Sequence, residues 1–148
     1  MNRTIKHQFF YSQTPETVWE FLTKAELIAL WLMPNDFQLI SGHEFRFTIK
    51  AIPEFEFDGI IYCRVLEIVP FKKLVYSWKG GPGDGTTNLD SVVTWTLVEK
   101  NNGTELLLEH TGIMENLSIY NAMNEGWLKN ITRIAELIKT ESNGKTRS

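Results

Sequence analysis

One apolar stripe near the end of the chain constrains the fold more than any other feature. Its residues recur at intervals of three and four, the spacing that places side chains on one face of an α-helix. The stripe consists of Tyr120, Met123, Trp127, Ile131, Ile134 and Ile138. A helix with about five turns of apolar face must cover a broad apolar surface, which the rest of the chain has to provide.

The segment from residue 43 to residue 111 has the period-two pattern of β-strands. In the stretch HEFRFTIK, Phe45 and Phe47 alternate with polar and charged residues, which predicts a sheet with one solvated face and antiparallel pairing. Gly59 is interpreted as a bulge at which the two faces of a strand exchange. The predicted strands are 4–11, 43–50, 55–68, 73–78, 91–98 and 104–111.

Two short helices are predicted after the first strand, because Thr14 and Pro15 form a helix start and Pro34 ends the second helix. The element order indicates an α+β fold with helices on one face of an antiparallel sheet. A curved sheet does not close evenly on one helix, so a cavity is expected between them. Residues 1–140 are predicted to form one domain, and residues 141–148 a polar, disordered tail.

Composition and charge argue against several classes of function. A net charge of −3 and a pI of 5.6 provide no basic face for nucleic acid. The longest apolar run, residues 27–33, is much shorter than a membrane span. A single cysteine, Cys63, and the lack of a signal-peptide pattern indicate a cytoplasmic protein, expected as a monomer or homodimer.

The glycine-rich segment, residues 79–90, contains the opening of a phosphate-binding loop and no more of that motif. Gly80 and Gly85 satisfy G-x-x-x-x-G, but Thr86 stands where the motif requires lysine. A strand is predicted to follow, so no helix N-terminus is available for an anion. The segment is therefore interpreted as a connection between strands, and no cofactor is expected.

No catalytic or metal-binding pattern is recognisable. His7, His43 and His110 lie without a second candidate ligand at metal-binding spacing. His110 shares the predicted inward face of its strand with two leucines. It is either a buried core histidine that is satisfied by hydrogen bonding or a polar group inside a pocket.

Several segments together resemble one known family. They are TPETVWEFLT, ELIALWLMP, VLEIVPFKKLVYSW, SVVTWTL, NGTELLLEHTG and EGW. They are similar to the activator of heat-shock-protein-90 ATPase homologue-like proteins, of the START-like (SRPBCC) superfamily. The resemblance implies a helix-grip fold, in which a curved antiparallel sheet wraps around a long C-terminal helix and encloses a deep cavity. It also implies that loops between strands border the cavity mouth, so the glycine-rich segment is expected to gate entry.

The favoured hypothesis is a non-enzymatic module that binds an apolar or amphipathic small molecule in the cavity. Tyr62 and Arg64 are added as polar contacts on the condition that a bulge turns their face inward. The main predicted contacts are Phe45, Phe47, Tyr76, Trp78, Trp95, His110, Met123 and Trp127. One alternative is a stress-related co-chaperone of the heat-shock-protein-90 ATPase activator type, with a chaperone as partner. Another is a cyclase- or hydrolase-type enzyme in which His110 acts with Tyr76 or Arg64.

Overall fold

A six-stranded antiparallel sheet and three α-helices account for most of the chain. The computed structural model describes residues 2–55, 57–87, 89–114 and 120–147. The strands are β1 (Asn2–Tyr11), β2 (Glu44–Thr48), β3 (Ile60–Val69), β4 (Lys73–Gly80), β5 (Leu89–Lys100) and β6 (Gly103–Met114). The helices are α1 (Pro15–Thr23), α2 (Ala25–Trp31) and α3 (Tyr120–Arg147).

The sheet has the strand order β1-β6-β5-β4-β3-β2, and every neighbouring pair is antiparallel. Consecutive strands from β2 to β6 are neighbours, and β1 pairs with β6 at the opposite edge from β2. The sheet curves around α3, with α1 and α2 inserted between β1 and β2. This arrangement confirms the α+β class and the helix-grip fold.

The apolar stripe of α3 lies in the core, as its spacing predicts. Five of its six residues are buried, and the sixth, Met123, is half-buried and packs against the core. Side-chain hydrogen bonds from Tyr11 and His7 also join α3 to β1. The Tyr11 hydroxyl donates to the carbonyl of Ile131 (2.8 Å), and Nε2 of His7 donates to the side-chain oxygen of Asn124 (3.0 Å). Helix and sheet are therefore held together by apolar burial with a few directional bonds.

The backbone of α3 is helical through Arg147. The domain boundary at residue 140 and the disordered tail over residues 141–148 stay predictions. This segment contains no proline that would interrupt the backbone hydrogen bonds of the helix. Ser148, the last residue of the predicted tail, lies outside the described residues.

The prediction of a strand over residues 55–68 is wrong at its start. Pro53–Phe55 forms a 3-10 turn, and β3 begins at Ile60. Gly59 lies just before the strand with φ of +92° instead of forming a bulge. A Cβ atom at Gly59 would lie 2.4 Å from the carbonyl oxygen of Ile49, so only glycine allows this close approach of two backbone segments.

The bulge of β3 lies further along the strand, and its position decides which way two predicted site residues face. The register with β4 shifts between Val65 and Glu67. Tyr62 and Arg64 precede the shift and stay on the solvent-exposed face, where Arg64 forms an ion pair with Glu44. The inward orientation that was considered for Tyr62 and Arg64 therefore does not occur.

The glycine-rich segment connects β4 to β5, which confirms its interpretation as a link between strands. A Cβ atom at Gly81 would lie 2.3 Å from the carbonyl oxygen of Thr86, so the two sides of the connection are in close contact. The Asp84 carboxylate accepts a hydrogen bond from the backbone N–H of Thr86 (3.0 Å). A strand follows the segment, so it does not form the loop-to-helix geometry that holds phosphate.

Candidate ligand-binding site

A cavity of about 220 Å³ lies between α3 and the sheet. The ends of α2 and β2 contribute Leu32, Met33 and Ile49, and the connection before β3 contributes Ile52 and Phe57. The remaining lining comes from α3 and from β3, β4 and β5. Among the described residues, no charged side chain belongs to the lining, so this part of the cavity is apolar with few polar groups.

The α3 side of the cavity combines small residues with large apolar ones. Ala122, Gly126 and Asn130 are four residues apart, so they lie on one helix face, next to Met123 and Trp127. A Cβ atom at Gly126 would meet nothing within 4 Å. Glycine inside a helix is less stable than alanine by about 0.5–1 kcal/mol. The helix therefore carries a destabilising residue, Gly126, at a point where a larger residue would place its side chain in the cavity.

The sheet side of the cavity is formed by Ile61 of β3, Trp78 and Gly80 of β4, and Leu89 of β5. Gly80 and Leu89 are direct partners across the β4–β5 ladder, and the glycine-rich segment joins them. The segment therefore borders the cavity, as the family resemblance implied. Its role as a gate stays a prediction.

Three of the predicted ligand contacts do not line the cavity. They form a packed aromatic layer beside it. Phe45, Phe47 and Tyr76 are at most 3% exposed. The ring centroid of Phe45 lies 5.4 Å from those of both Phe47 and Tyr76, in edge-to-face contacts. The Tyr76 hydroxyl accepts a hydrogen bond from Nε1 of Trp95 (2.9 Å), and burial raises the pKa of Tyr76. The layer is fully packed and supports Trp78 through Phe47, whose ring is 5.2 Å away.

His110 lies at the centre of a buried hydrogen-bonded chain whose proton positions follow from chemistry. Nε1 of Trp127 can only donate, so Nδ1 of His110 accepts its bond (2.9 Å). The proton of the neutral ring is then on Nε2, which donates to the Ser91 hydroxyl (2.7 Å). That hydroxyl donates in turn to the backbone carbonyl of Trp78 (2.8 Å). Every member is satisfied, which matches the interpretation of His110 as a buried, hydrogen-bonded core histidine.

Burial lowers the pKa of His110 to about 3, so the ring is neutral at physiological pH. Both ring nitrogens are engaged, which leaves no free lone pair for general-base chemistry. Nor does the structure bring His110 together with the partners of the enzyme hypothesis. The Tyr76 hydroxyl bonds to Trp95, and Arg64 lies on the opposite face of the sheet.

The remaining predicted polar contacts line a different surface. Tyr62 and Arg64 border an open groove on the outer face of β2, β3 and β4, together with Asp36 and Lys79. The thiol of Cys63 is buried, and desolvation, followed by the charge of Asp36, raises its pKa, which keeps the thiol in its protonated, less nucleophilic form. Of the ten predicted contacts, the cavity lining therefore includes Trp78, Met123 and Trp127.

The described residues contain no group of three or more His, Cys, Asp or Glu residues placed to hold a metal ion. None of their helices combines the length and the apolar character that crossing a membrane requires.

One buried polar atom of Trp78 has no partner. Trp78 is 4% exposed, and its Nε1 is the one buried side-chain nitrogen or oxygen in the described part of the chain that makes no hydrogen bond. An unmade buried hydrogen bond costs about 1–3 kcal/mol. Trp78 belongs to the cavity wall, while its Nε1 atom is covered by neighbouring groups.

Replacement of two tryptophans by phenylalanine is expected to have unequal effects on stability. Both Trp78→Phe and Trp95→Phe remove the same volume from the interior. Trp95→Phe also leaves the Tyr76 hydroxyl buried without its donor, whereas Trp78→Phe removes an atom that has no partner. We expect Trp95→Phe to lower the free energy of unfolding by about 1 kcal/mol more than Trp78→Phe, as measured by urea denaturation. An equal or larger loss of unfolding free energy in Trp78→Phe would contradict the assignment of Trp78 Nε1 as an atom without a hydrogen-bond partner.

The buried state of His110 predicts a pH dependence of stability. Its folded pKa of about 3 lies below the usual value of 6.5, so the unfolded state binds one more proton between these values. The contribution of neutral His110 to the free energy of unfolding is complete above pH 6.5. It is lost as the pH falls toward 3, at about 1.4 kcal/mol per pH unit. Urea denaturation at pH 7 and pH 4.5 should show a steeper loss in the native chain than in His110→Gln. Parallel losses in the two proteins would show that His110 is accessible to protons.

A family model described as Activator of Hsp90 ATPase homolog 1-like protein matches residues 12–139. A search of curated protein sequences found no match to the chain. Similar folds occur among solved structures. Protein MLL2253 from Mesorhizobium loti is 32% identical, with a TM-score of 0.83 over 93% of this chain and 98% of that one.

Two more distant structures support the fold alone. CalU16 from Micromonospora echinospora is 23% identical, with a TM-score of 0.72 over 95% of this chain and 79% of that one. The Aha1 dimer from Colwellia psychrerythraea is 15% identical, with a TM-score of 0.74 over 92% of this chain and 96% of that one. The family model spans most of the sequence, and MLL2253 matches it along nearly its whole length, so the protein belongs to the Activator of Hsp90 ATPase homolog 1-like family.

Proposed function

We propose that the protein binds a small, largely apolar molecule in the cavity between α3 and the sheet. The observation that carries this proposal is an apolar cavity that a helix glycine, Gly126, keeps open. Its walls include two tryptophans, Trp78 and Trp127, and the adaptable side chain of Met123. Concave sites of this composition are typical of small-molecule binding.

The size of the cavity narrows the class of ligand. Its volume of about 220 Å³ is below the roughly 300–1,000 Å³ of sites for drug-sized molecules. A compact molecule, or the apolar end of a longer one, fits this space better than a bulky polycyclic compound. Ile49 and the glycine-rich segment border the cavity, and Ile49 is 44% exposed, so a longer ligand would leave the cavity on this side.

Small-molecule binding has better structural support than the two alternatives. The enzyme hypothesis depended on His110, whose ring nitrogens are both engaged in the core. The co-chaperone hypothesis has support from the description of the family, which names an Hsp90 ATPase activator. Six residues of the cavity wall are buried, Trp78 and Trp127 among them, and a protein partner would not contact those six.

Gly126 provides a direct test of the cavity. In Gly126→Leu the added side chain enters the open space, so we expect binding to be lost while the chain stays folded. The matched control is Gly126→Ala, which adds one methyl group and should raise the free energy of unfolding by about 0.5–1 kcal/mol. The measurement is tryptophan fluorescence during titration with fatty alcohols, aromatic ketones and lactones, together with thermal unfolding, since a ligand of the native state raises Tm.

Two outcomes would contradict the proposal. The first is the absence of any response in the native protein to every compound class. The second is an equal response of Gly126→Leu and the native protein, which would place the binding site outside the cavity. A response in the native protein and in Gly126→Ala, with none in Gly126→Leu, is the expected result.

A further inference from the structure

Asn130 on α3 supplies a polar side chain to a cavity wall that is otherwise apolar. The two indole nitrogens of the wall are occupied elsewhere, since Nε1 of Trp78 is covered and Nε1 of Trp127 bonds to His110. We propose that the ligand is a neutral amphipathic molecule whose hydroxyl or carbonyl group hydrogen-bonds to the Asn130 amide. The inference rests on the proposed function, because it names the chemistry of the ligand of that same cavity.

The Asn130 side chain is accessible and makes no hydrogen bond within the described part of the chain. It is half-buried, whereas Nε1 of Trp78 is covered by its neighbours. The backbone N–H and C=O groups inside a helix bond to one another, so the polar atoms that Asn130 offers are those of its side chain. An amide both donates and accepts, and it can therefore pair with a hydroxyl or a carbonyl group.

The position of Asn130 places its amide beside open space. Side chains on an α-helix lean toward its N-terminus, so Asn130 leans over the preceding turn, which contains Gly126. A Cβ atom at Gly126 would meet nothing within 4 Å, so the Asn130 side chain does not fill the space that the glycine leaves. A ligand group in that space would lie next to the amide.

Asparagine at this position does not stabilise the helix. Asparagine is a weaker helix former than leucine, and the Asn130 side chain has no hydrogen bond in the described residues to offset this. Leucine would also extend the apolar surface of Trp127 and Ile131. Two unfavourable helix residues, Gly126 and Asn130, thus lie one turn apart on the cavity wall. Such a cost in stability is typical of sites at which binding constrains the sequence.

The rest of the described lining favours a neutral polar group on an apolar body. It contains no lysine, arginine or histidine, so a carboxylate at Asn130 would lose hydration without gaining a cationic partner. A hydroxyl or carbonyl group has much less hydration to lose. The ring centroids of Trp78 and Trp127 lie 5.2 Å apart, and these rings offer apolar contact to the body of the ligand.

Three probes with one phenyl ring separate these possibilities. They suit the cavity in size, since an apolar cavity of about 150 Å³ holds benzene. 2-Phenylethanol carries a hydroxyl group, propylbenzene has a methyl group in its place, and phenylacetate carries a carboxylate. Dissociation constants are measured by ligand-observed NMR for the native protein, Asn130→Leu and Asn121→Leu. Leucine resembles asparagine in shape without its polar atoms, and the control makes the same change at an exposed position of α3 outside the described lining.

The ratio of the dissociation constants of propylbenzene and 2-phenylethanol measures the contribution of the hydroxyl group. This ratio should fall about two- to tenfold in Asn130→Leu, the range that one net hydrogen bond provides, and stay unchanged in Asn121→Leu. Phenylacetate should bind the native protein most weakly. In ¹⁵N–¹H spectra of the native protein, the assigned side-chain NH₂ resonances of Asn130 should shift with 2-phenylethanol and less with propylbenzene. This readout does not depend on the folding of a variant.

The failures of the two proposals give different results. An unchanged ratio in Asn130→Leu, an equal fall in Asn121→Leu, equal shifts of the Asn130 resonances with both probes, or phenylacetate that binds as tightly as 2-phenylethanol would overturn the inference while leaving apolar binding intact. No binding of any of the three probes would overturn the inference and count against the proposed function as well.

Discussion

The apolar face of α3 is the constraint on which the rest of the structure depends. Its second half carries Ile131, Ile134 and Ile138, each at most 1% exposed, and packs tightly within the core. Its first half carries Ala122 and Gly126 beside the stripe, and there the helix does not fill the space above the sheet. One helix therefore stabilises the fold along one part of its length and leaves a cavity along the other.

A polar chain fixes the walls of this cavity relative to each other. Trp127 of α3, His110 of β6, Ser91 of β5 and the carbonyl of Trp78 in β4 are joined by successive hydrogen bonds. Buried networks are stable only when every member is satisfied, and this chain meets that condition. Four elements thereby hold the two tryptophans of the wall in defined positions. The walls of the cavity are therefore pre-organised.

The fold could be predicted well from the sequence because its signals are periodic. The stripe of α3 and the alternation of Phe45 and Phe47 placed the right residues inside, and the strand order along the chain indicated an antiparallel sheet. The position of the bulge was wrong because Gly59 is required by a close approach to Ile49, a tertiary contact that no local pattern shows. The orientation of Tyr62 depended on that bulge and was therefore not settled by the pattern.

The site was harder to predict. Periodicity shows which side of the sheet a residue faces, but it does not show whether other side chains cover that residue or leave it beside a cavity. Trp78 and Phe47 both face inward, but Trp78 borders the cavity and Phe47 is covered by other rings. Gly126 was missed as a lining residue because a cavity is a lack of side chains, and analysis of large apolar residues does not detect it. The available signal was the spacing of Ala122, Gly126 and Asn130 beside the stripe.

Binding of a small, largely apolar molecule in the cavity is what the proposed function requires. The most direct measurement is mass spectrometry of the small molecules released from the protein after purification under native conditions, compared with Gly126→Leu purified in the same way. We expect a small, largely apolar compound that is enriched with the native protein and absent from the variant. Equal small-molecule profiles for the two proteins, or enrichment of a highly charged compound in the native protein alone, would contradict the proposed function.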